Sequence, residues 1–130
     1  MSYQDLTGEV ITPKDSNYDE ARAIYNAMID KNPALIVKCR NKEDVVNAVN
    51  YARENNIEVS IRSGGHNGAG LALVDDGLVI DLSEMKAINI DPQSKTATVQ
   101  SGNTLADVDV ATHEHGLALP SGIIGTTGIG

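Results

Sequence analysis

Hydrophobic and polar positions between residues 34 and 61 follow the order of a strand, a helix and a second strand. Residues 34–38 and 57–61 are apolar runs of strand length. The apolar stripe between them recurs at helical spacing and consists of Val45, Val46, Val49 and Ala52. Residues 41–44 have the polar character of a helix cap, and residues 54–56 end the helix. We expect a parallel, right-handed strand-helix-strand unit.

An earlier apolar stripe predicts another helix, which starts at Asp15 or Ser16 and stops at Asn32-Pro33. Its members are Tyr18, Ala21, Tyr25 and Met28. Apolar residues at this spacing usually belong to the core, so the stripe is expected to be buried. Residues 1–32 are therefore interpreted as an N-terminal helical segment. The tyrosines of the chain are interpreted as packing residues, namely Tyr3, Tyr18, Tyr25 and Tyr51.

The second half of the chain predicts short strands separated by turns. The strands are expected at residues 78–82, 87–90 and 96–99. Asp91-Pro92 and the polar residues after it are typical of a hairpin turn, so this half is expected to form an antiparallel or mixed sheet. The chain as a whole is expected to have an α+β fold.

A third helix is predicted after the last strand. Thr104 and Asp107 form a capping-box variant, and Gly116 is a natural stop. The expected buried stripe is Leu105, Val108 and Ala111. His113 and His115 lie in the last turn, but side chains two residues apart on a helix point in different directions, so a metal site is not expected there.

A glycine-rich turn with one histidine follows the strand at residues 57–61. Its candidate site residues are Arg62, Ser63, Gly64, Gly65, His66, Asn67 and Gly70. Glycines let successive backbone N–H groups point into one concavity, which can hold an oxyanion such as a dinucleotide pyrophosphate. The carboxyl ends of strands are also where α/β sheets bind ligands. The other interpretation is a surface turn that happens to contain a histidine.

A second glycine-rich stretch closes the chain from Gly116 onward. Its glycines alternate with Ser121, Thr126 and Thr127. The stretch is either a second phosphate-facing loop or a flexible tail, and its apolar content is uncommon in disordered tails. Neither stretch follows the G-x-G-x-x-G pattern, which disfavours a nicotinamide site.

The composition of the chain disfavours some classes of binding partner. The net charge of −8 leaves no clustered Lys and Arg for nucleic acid or an anionic membrane. No long apolar run or signal-peptide pattern is present, and the single Cys39 excludes an internal disulfide, so we expect a soluble cytoplasmic protein. The core has no Phe or Trp, which hints that a further segment or a cofactor completes it.

The chain resembles a known family over residues 34–130. The motifs that carry the resemblance lie at residues 33–37, 62–70, 79–83, 99–102, 115–122 and 127–130. They are similar to the FAD-binding PCMH-type flavoproteins, the vanillyl-alcohol oxidase and p-cresol methylhydroxylase family, and especially to the berberine-bridge-enzyme-like oxidases.

The resemblance implies an FAD-linked oxidoreductase that takes a hydride from an alcohol, a sugar or a similar CH–OH or CH–NH group. By resemblance, His66 forms a covalent bond to the 8α-methyl of FAD. The residues expected to cradle the pyrophosphate are Ser63, Gly64, Gly65 and Asn67, and those expected to line the flavin from the other side are Gly122, Thr126, Thr127 and Gly128. Arg62, Gly70 and Pro120 complete the expected FAD-binding set.

Two departures limit what the resemblance implies. Family members with a doubly attached flavin carry a cysteine where this chain has Ile124, so a single attachment is expected. Family enzymes also continue beyond this point, so residues 33–130 are expected to be an incomplete domain, without a catalytic base and inactive alone. The small-molecule substrate would then bind through a domain that is not present here, and an oligomer is possible.

Two alternatives stay open. One is a reductase of the UDP-N-acetylenolpyruvoylglucosamine reductase type, which holds FAD without a covalent bond. The other is a non-catalytic module that binds a nucleotide or an anion.

Overall fold

The computed structural model describes residues 5–130, where strands and helices alternate along the chain. In chain order the elements are β1 (Glu9–Ile11), α1 (Tyr18–Ala21), β2 (Leu35–Lys38), α2 (Lys42–Asn55), β3 (Val59–Arg62), β4 (Leu78–Asp81), β5 (Ile88–Asp91), β6 (Thr96–Val99) and α3 (Leu105–His113). The predicted α+β fold class is confirmed, since helices accompany two separate small sheets. No helix within this described part of the chain is long and apolar enough to cross a membrane.

The larger sheet is built around β4, with the strand order β1-β2-β4-β3. β2 and β3 both pair with β4 in parallel, and β1 pairs with β2 in antiparallel orientation. All four residues of β4 are buried, as expected for the central strand of a parallel sheet. The sequence-based assignment of this strand to the second sheet was wrong, because a short apolar run does not show which strands it joins. β2 and β3 are parallel as predicted, but β4 lies between them.

Alternate residues of the sheet contribute to two apolar clusters, one on each face, as the two-residue period of a strand requires. One cluster consists of Ile11, Tyr18, Ala21, Ile36, Leu73, Val74 and Val79. The other consists of Val37, Cys39, Ala48, Leu78 and Ile80. The N-terminal segment therefore covers one face of the sheet, and α2 covers the other.

The N-terminal segment holds one turn of helix rather than the longer helix predicted. Tyr18 and Ala21 are buried as expected, whereas Tyr25 and Met28 are 71% and 90% exposed. The helix ends early because the backbone N–H of Tyr25 donates to the carbonyl of Gly65 at 3.1 Å, a tertiary bond in place of a helical one. β1 lies before the start of the predicted helix, in a segment for which no strand was predicted.

The start of α1 also differs from the prediction. Its N-cap is Asn17, whose side chain makes no capping bond. The carboxylate of Asp15 instead accepts the backbone N–H of Thr12 at 2.7 Å and so closes the preceding turn. Tyr3 lies outside the described residues.

α2 has the predicted start and end. The side chain of Asn41 accepts the N–H of Asp44 at 2.9 Å, and Asn56 follows the helix in the left-handed conformation. The predicted stripe is only partly right: the buried residues are Asp44, Ala48 and Ala52, whereas Val46 and Val49 are about half exposed. The small alanines allow close packing against the sheet, and these two valines lie outside that contact.

β5 and β6 form the predicted antiparallel hairpin, with Asp91 opposite Thr96. The carboxylate of Asp91 accepts the backbone N–H groups of Gln93 and Ser94 at 2.9 and 3.2 Å. Lys95 completes the turn with a φ of 55°.

α3 begins with the predicted capping box. The carboxylate of Asp107 accepts the N–H of Thr104 at 2.8 Å, and the hydroxyl of Thr104 accepts the N–H of Asp107 at 3.3 Å. Gly116 has a φ of 66° and donates to the carbonyl of His113, as predicted for a helix stop. The buried residues of α3 are Leu105, Val108 and Thr112, whereas Ala111 is only partly buried.

Residues 125–129 return to the start of α3 and form an ordered loop. The N–H of Leu105 donates to the carbonyl of Thr127 at 2.9 Å, and the N–H of Ala106 donates to that of Gly125 at 3.0 Å. These carbonyls satisfy amides that the first turn of a helix leaves without a partner. Of the two alternatives drawn from the sequence, the flexible tail is therefore wrong.

Candidate functional site

The glycine-rich turn, residues 63–70, follows β3 at the carboxyl edge of the parallel strands, as predicted. In the register of the sheet, Arg62 at the end of β3 lies opposite Asp81 at the end of β4. The carboxyl edge of such strands is the usual place for a ligand in an α/β sheet. The turn therefore lies where the fold presents functional residues.

Arg62 ties the start of this turn to the core and to the N-terminal segment. Its Nη2 lies 3.0 Å from Oδ2 of Asp81, whose side chain is fully buried. Its Nη1 donates to the carbonyls of Ala21 and Ala23. A buried carboxylate needs a counter-charge, and Arg62 supplies it. The sequence suggested Arg62 as a direct partner of an anion, whereas the structure uses its guanidinium inside the protein.

The two glycine-rich stretches touch each other at Gly64 and Gly128. A Cβ on Gly64 would overlap the backbone of Gly128, and a Cβ on Gly128 would overlap that of Gly64. The hydroxyl of Ser63 donates to the carbonyl of Ser101, which brings a third loop to the same point. Glycine is required here because only a residue without a Cβ permits such a close approach of two backbones.

The backbone amides of residues 64–68, in the middle of the glycine-rich turn, are available to a ligand. Among the described residues, the N–H groups of residues 64–68 donate no hydrogen bond to another protein group. Gly65 has a φ of 70°, which turns the chain through the left-handed region. Free amides in a turn of this kind form an anion-binding concavity. Three of the four residues predicted to form the cradle, Gly64, Gly65 and Asn67, therefore have backbone N–H groups without an acceptor among the described residues. The fourth, Ser63, donates its hydroxyl to the carbonyl of Ser101.

The end of the turn is held by Asn67 and Gly70. The side-chain oxygen of Asn67 accepts the backbone N–H groups of Ala69 and Leu71 at 3.1 and 3.2 Å. Gly70 has a φ of 72°, and its carbonyl accepts a hydrogen bond from Nζ of Lys31 at 3.0 Å. Both residues therefore shape the turn.

His66 lies where the two glycine-rich stretches meet. Its Nε2 is 3.1 Å from the hydroxyl oxygen of Thr126, and its Nδ1 is 3.5 Å from that of Thr127. The ring of Tyr25 stacks on the imidazole, with centroids 4.1 Å apart and planes inclined by 17°. The histidine and the two threonines, all identified from the sequence, are thus brought together from opposite ends of the domain.

Two clefts border His66 and share residues 63–66 as a common wall. The first has a volume of about 390 Å³ and is also lined by Asn67, Thr127 and Gly128. The second has a volume of about 510 Å³ and is also lined by Tyr25, Arg62, Lys86 and Thr126. His66 is therefore accessible from both clefts.

Three of the predicted site residues line neither cleft, namely Gly70, Pro120 and Gly122. Gly70 acts within the turn, as described above. Pro120 and Gly122 are exposed, and Gly122 lies against the side chain of Leu105. The sequence did not show which part of the second glycine-rich stretch bends back to the first.

Sequence reasoning missed Tyr25 and Lys86 as residues of the site. Tyr25 was assigned to the core by its helical spacing, yet it stacks on His66. Lys86 lines the second cleft, where its Nζ lies 3.0 Å from Oδ2 of Asp107. No local pattern identifies either contact, because both partners are distant in the sequence.

Residues 33–130 match the protein family described as FAD binding domain. Among curated relatives, the chain is 40% identical to the FAD-linked oxidoreductase YgaK of Bacillus subtilis over 129 residues, which is 99% of this chain and 29% of that protein.

Two solved structures resemble the chain closely. The 6-hydroxy-D-nicotine oxidase of Arthrobacter nicotinovorans has a TM-score of 0.92 and 37% identity, covering 95% of this chain and 27% of that one. BBE-like 1 of Physcomitrella patens has a TM-score of 0.89 and 29% identity, covering 97% of this chain and 28% of that one. The chain thus spans less than a third of the length of each of these proteins.

Proposed function

Because the chain belongs to the FAD binding domain family of FAD-linked oxidoreductases, we propose that it holds FAD between its two glycine-rich stretches, with His66 bound covalently to the cofactor. The family predicted from the sequence, the PCMH-type and berberine-bridge-enzyme-like flavoproteins, is confirmed. The FAD-binding residues, the covalent bond and the substrate are the parts of this proposal that go beyond the family.

The observation that carries the proposal is the convergence on His66 of free amides, two threonine hydroxyls and two clefts. A pyrophosphate requires several N–H donors, and residues 64–68 offer them without a lysine or a free arginine. The absence of a Cβ at Gly64 and Gly128 lets the two stretches approach closely enough to bring Thr126 and Thr127 to His66. The residues present therefore fit the cofactor that the family implies.

The residues assigned to the cofactor follow from these contacts. Ser63, Gly64 and Gly65 bind the pyrophosphate through the turn. Thr126, Thr127 and Gly128 line the flavin from the opposite stretch. Arg62 and Asn67 hold the turn in shape through their bonds inside the protein.

His66 can present one ring nitrogen for bond formation while the other is held. The contact of Nε2 with Thr126 is 3.1 Å, a normal hydrogen-bond length, whereas Nδ1 is 3.5 Å from Thr127, at the limit of one. A proton held on Nε2 by Thr126 leaves a lone pair on Nδ1, which is the nucleophilic form of a neutral imidazole. We therefore assign the covalent bond to Nδ1.

Covalent attachment would join the imidazole nitrogen to the 8α-methyl carbon, with loss of one hydrogen from that carbon and of the imidazole N–H proton. An oxidant such as dioxygen would take up the two electrons released. When bound, FAD supplies the two-electron chemistry that accepts a hydride from a substrate.

The substrate is proposed to carry a CH–OH or CH–NH group, as in an alcohol, a sugar or a similar small molecule. The oxidase from Arthrobacter nicotinovorans, whose name gives 6-hydroxy-D-nicotine as its substrate, supports a small organic substrate. Residues that bind the substrate and remove its proton are proposed to lie in sequence that accompanies this domain.

The covalent bond is tested by intact mass under denaturing conditions and by the visible spectrum. The wild-type protein, expressed with excess riboflavin in the longest form that its gene encodes, is compared with His66→Ala. His113→Ala, which removes an exposed histidine on α3, is the matched control. We expect a mass increase of one FAD less two hydrogens in the wild type and in the control, but not in His66→Ala.

Other outcomes of this experiment would favour one of the two alternatives to covalent FAD. A yellow protein that loses its colour on denaturation would favour the non-covalent reductase type. A colourless wild-type protein would contradict the proposal and favour the anion-binding module. Thr126→Val is expected to slow attachment and Thr127→Val to leave it nearly unchanged, and the reverse order would move the bond to Nε2.

A further inference from the structure

Three consecutive residues of the N-terminal segment contact the glycine-rich turn. Ile24 packs against Gly65, and the ring of Tyr25 stacks on His66. The backbone N–H of Tyr25 donates to the carbonyl of Gly65 at 3.1 Å. Nδ2 of Asn26 donates to the carbonyl of Gly68 at 3.0 Å. These residues, 24–26, form a brace along one side of the turn.

The brace is itself fixed at its base. Arg62 binds the carbonyls of Ala21 and Ala23, immediately before the brace, and pairs with the buried Asp81. The side chain of Tyr25 therefore projects from a segment that is held at Ala23 and again at Gly65.

Burial in the core does not explain Tyr25, because its surface is 71% exposed. Its ring stacks on the imidazole of His66, at 4.1 Å between centroids. Stacking on one face limits rotation of the imidazole about its bond to Cβ. The hydroxyls of Thr126 and Thr127 then determine which ring nitrogen faces which side.

We infer that Tyr25 is a positioning residue that holds the imidazole plane of His66, so that one ring nitrogen stays bonded to Thr126 and the other stays available. The aromatic face of Tyr25 does this, and its hydroxyl is not needed. The consequence for covalent attachment rests on the proposed function, whereas the effect on the imidazole itself does not.

The stack sets the size of the expected effect. A stacked aromatic pair contributes an interaction equivalent to a factor of about two to about twelve in the population of the held orientation. Attachment that requires this orientation is expected to slow by about the same factor when the aromatic face is removed.

The test compares Tyr25→Leu, which removes the aromatic face, with Tyr25→Phe, which keeps it and removes only the hydroxyl. Protein produced under riboflavin limitation is mixed with FAD, and the covalent mass is followed over time. Tyr25→Phe is expected to match the wild type, and Tyr25→Leu to be slower. Equal rates for the wild type and Tyr25→Leu would overturn the inference, as would a Tyr25→Phe variant as slow as Tyr25→Leu.

A second measurement observes the imidazole without a cofactor. In protein labelled with nitrogen-15 in the histidine ring, the two ring nitrogens of His66, assigned with His66→Gln, are expected to show one tautomer with the proton on Nε2 in the wild type and in Tyr25→Phe. A mixture of the two tautomers in Tyr25→Leu supports the inference, and an unchanged tautomer ratio overturns it. A wild-type protein that takes up no flavin mass contradicts the proposed function, and the NMR comparison still decides the role of Tyr25.

Discussion

Replacing Arg62 with methionine is expected to destabilise the domain strongly, because it leaves a buried carboxylate without its counter-charge. The side chain of Asp81 is fully buried, and that of Arg62 is 14% exposed. Breaking a buried ion pair by removing one partner costs about 3–5 kcal/mol. The same change removes the bonds to Ala21 and Ala23 that anchor the brace. A domain with a total stability of about 5–15 kcal/mol would lose a large part of it.

The assay is urea unfolding of Arg62→Met, Asp81→Asn and the double variant. Asn at position 81 keeps an oxygen that can accept the N–H of Ser83, which Asp81 accepts at 2.8 Å, but carries no charge. The double variant is therefore expected to be more stable than Arg62→Met alone. Arg40→Met is the matched control, since it breaks the exposed pair with Glu84 and is expected to change stability little.

Two results would refute this reasoning. One is a decrease in the free energy of unfolding for Arg62→Met that is as small as the decrease for Arg40→Met. This result would show that the buried pair contributes no more to stability than a surface pair. The other is a double variant whose free energy of unfolding falls by the sum of the decreases in the two single variants. Additive changes of this kind mean that the two side chains do not interact.

Three further predictions concern other parts of the domain. Gly64→Ala is expected to abolish FAD binding, because its Cβ would overlap the backbone of Gly128. Gly68→Ala is the control and is expected to bind FAD normally, because its Cβ meets nothing within 4 Å. Equal binding of FAD by the two variants in a spectroscopic titration would contradict the loop contact. Burial raises the pKa of the Cys39 thiol to about 11, so the free energy of unfolding is expected to fall between about pH 8.5 and about pH 11, as the unfolded thiol ionises first. Cys39→Ala is expected to lose this part of the pH dependence, and an unchanged profile would contradict it. Thr104→Ala is expected to cost about 1 kcal/mol in urea unfolding by removing the N-cap of α3, and no loss would show that the capping box contributes little.

Local chemistry made several elements predictable. The side chains that cap α2 and α3 accept hydrogen bonds from backbone N–H groups three residues further along the chain. Asn41 and Thr104 could therefore be identified from the sequence. The hairpin turn at Asp91 has the same local origin. The glycine-rich turn was placed correctly because it directly follows an apolar strand.

Long-range pairing could not be predicted in the same way. The central place of β4 depends on its partners on both sides, which a run of four apolar residues does not specify. The early end of α1 depends on the bond from Tyr25 to Gly65, which competes with the next helical bond. Helical periodicity assigned Tyr25 to the core, because it could not show that the helix ends before this residue. The stacking of Tyr25 on His66 depends on the three-dimensional structure.

The most direct test of the central claim is to find which peptide carries the flavin. Trypsin cuts after Arg62 and Lys86, so the peptide of residues 63–86 contains His66 and no other histidine. His113 and His115 lie in the part of the chain that follows Lys95. Tandem mass spectrometry is expected to place the flavin mass on His66 in the first peptide. Flavin on a peptide that contains His113 or His115, or on no peptide of the digest, would contradict the account.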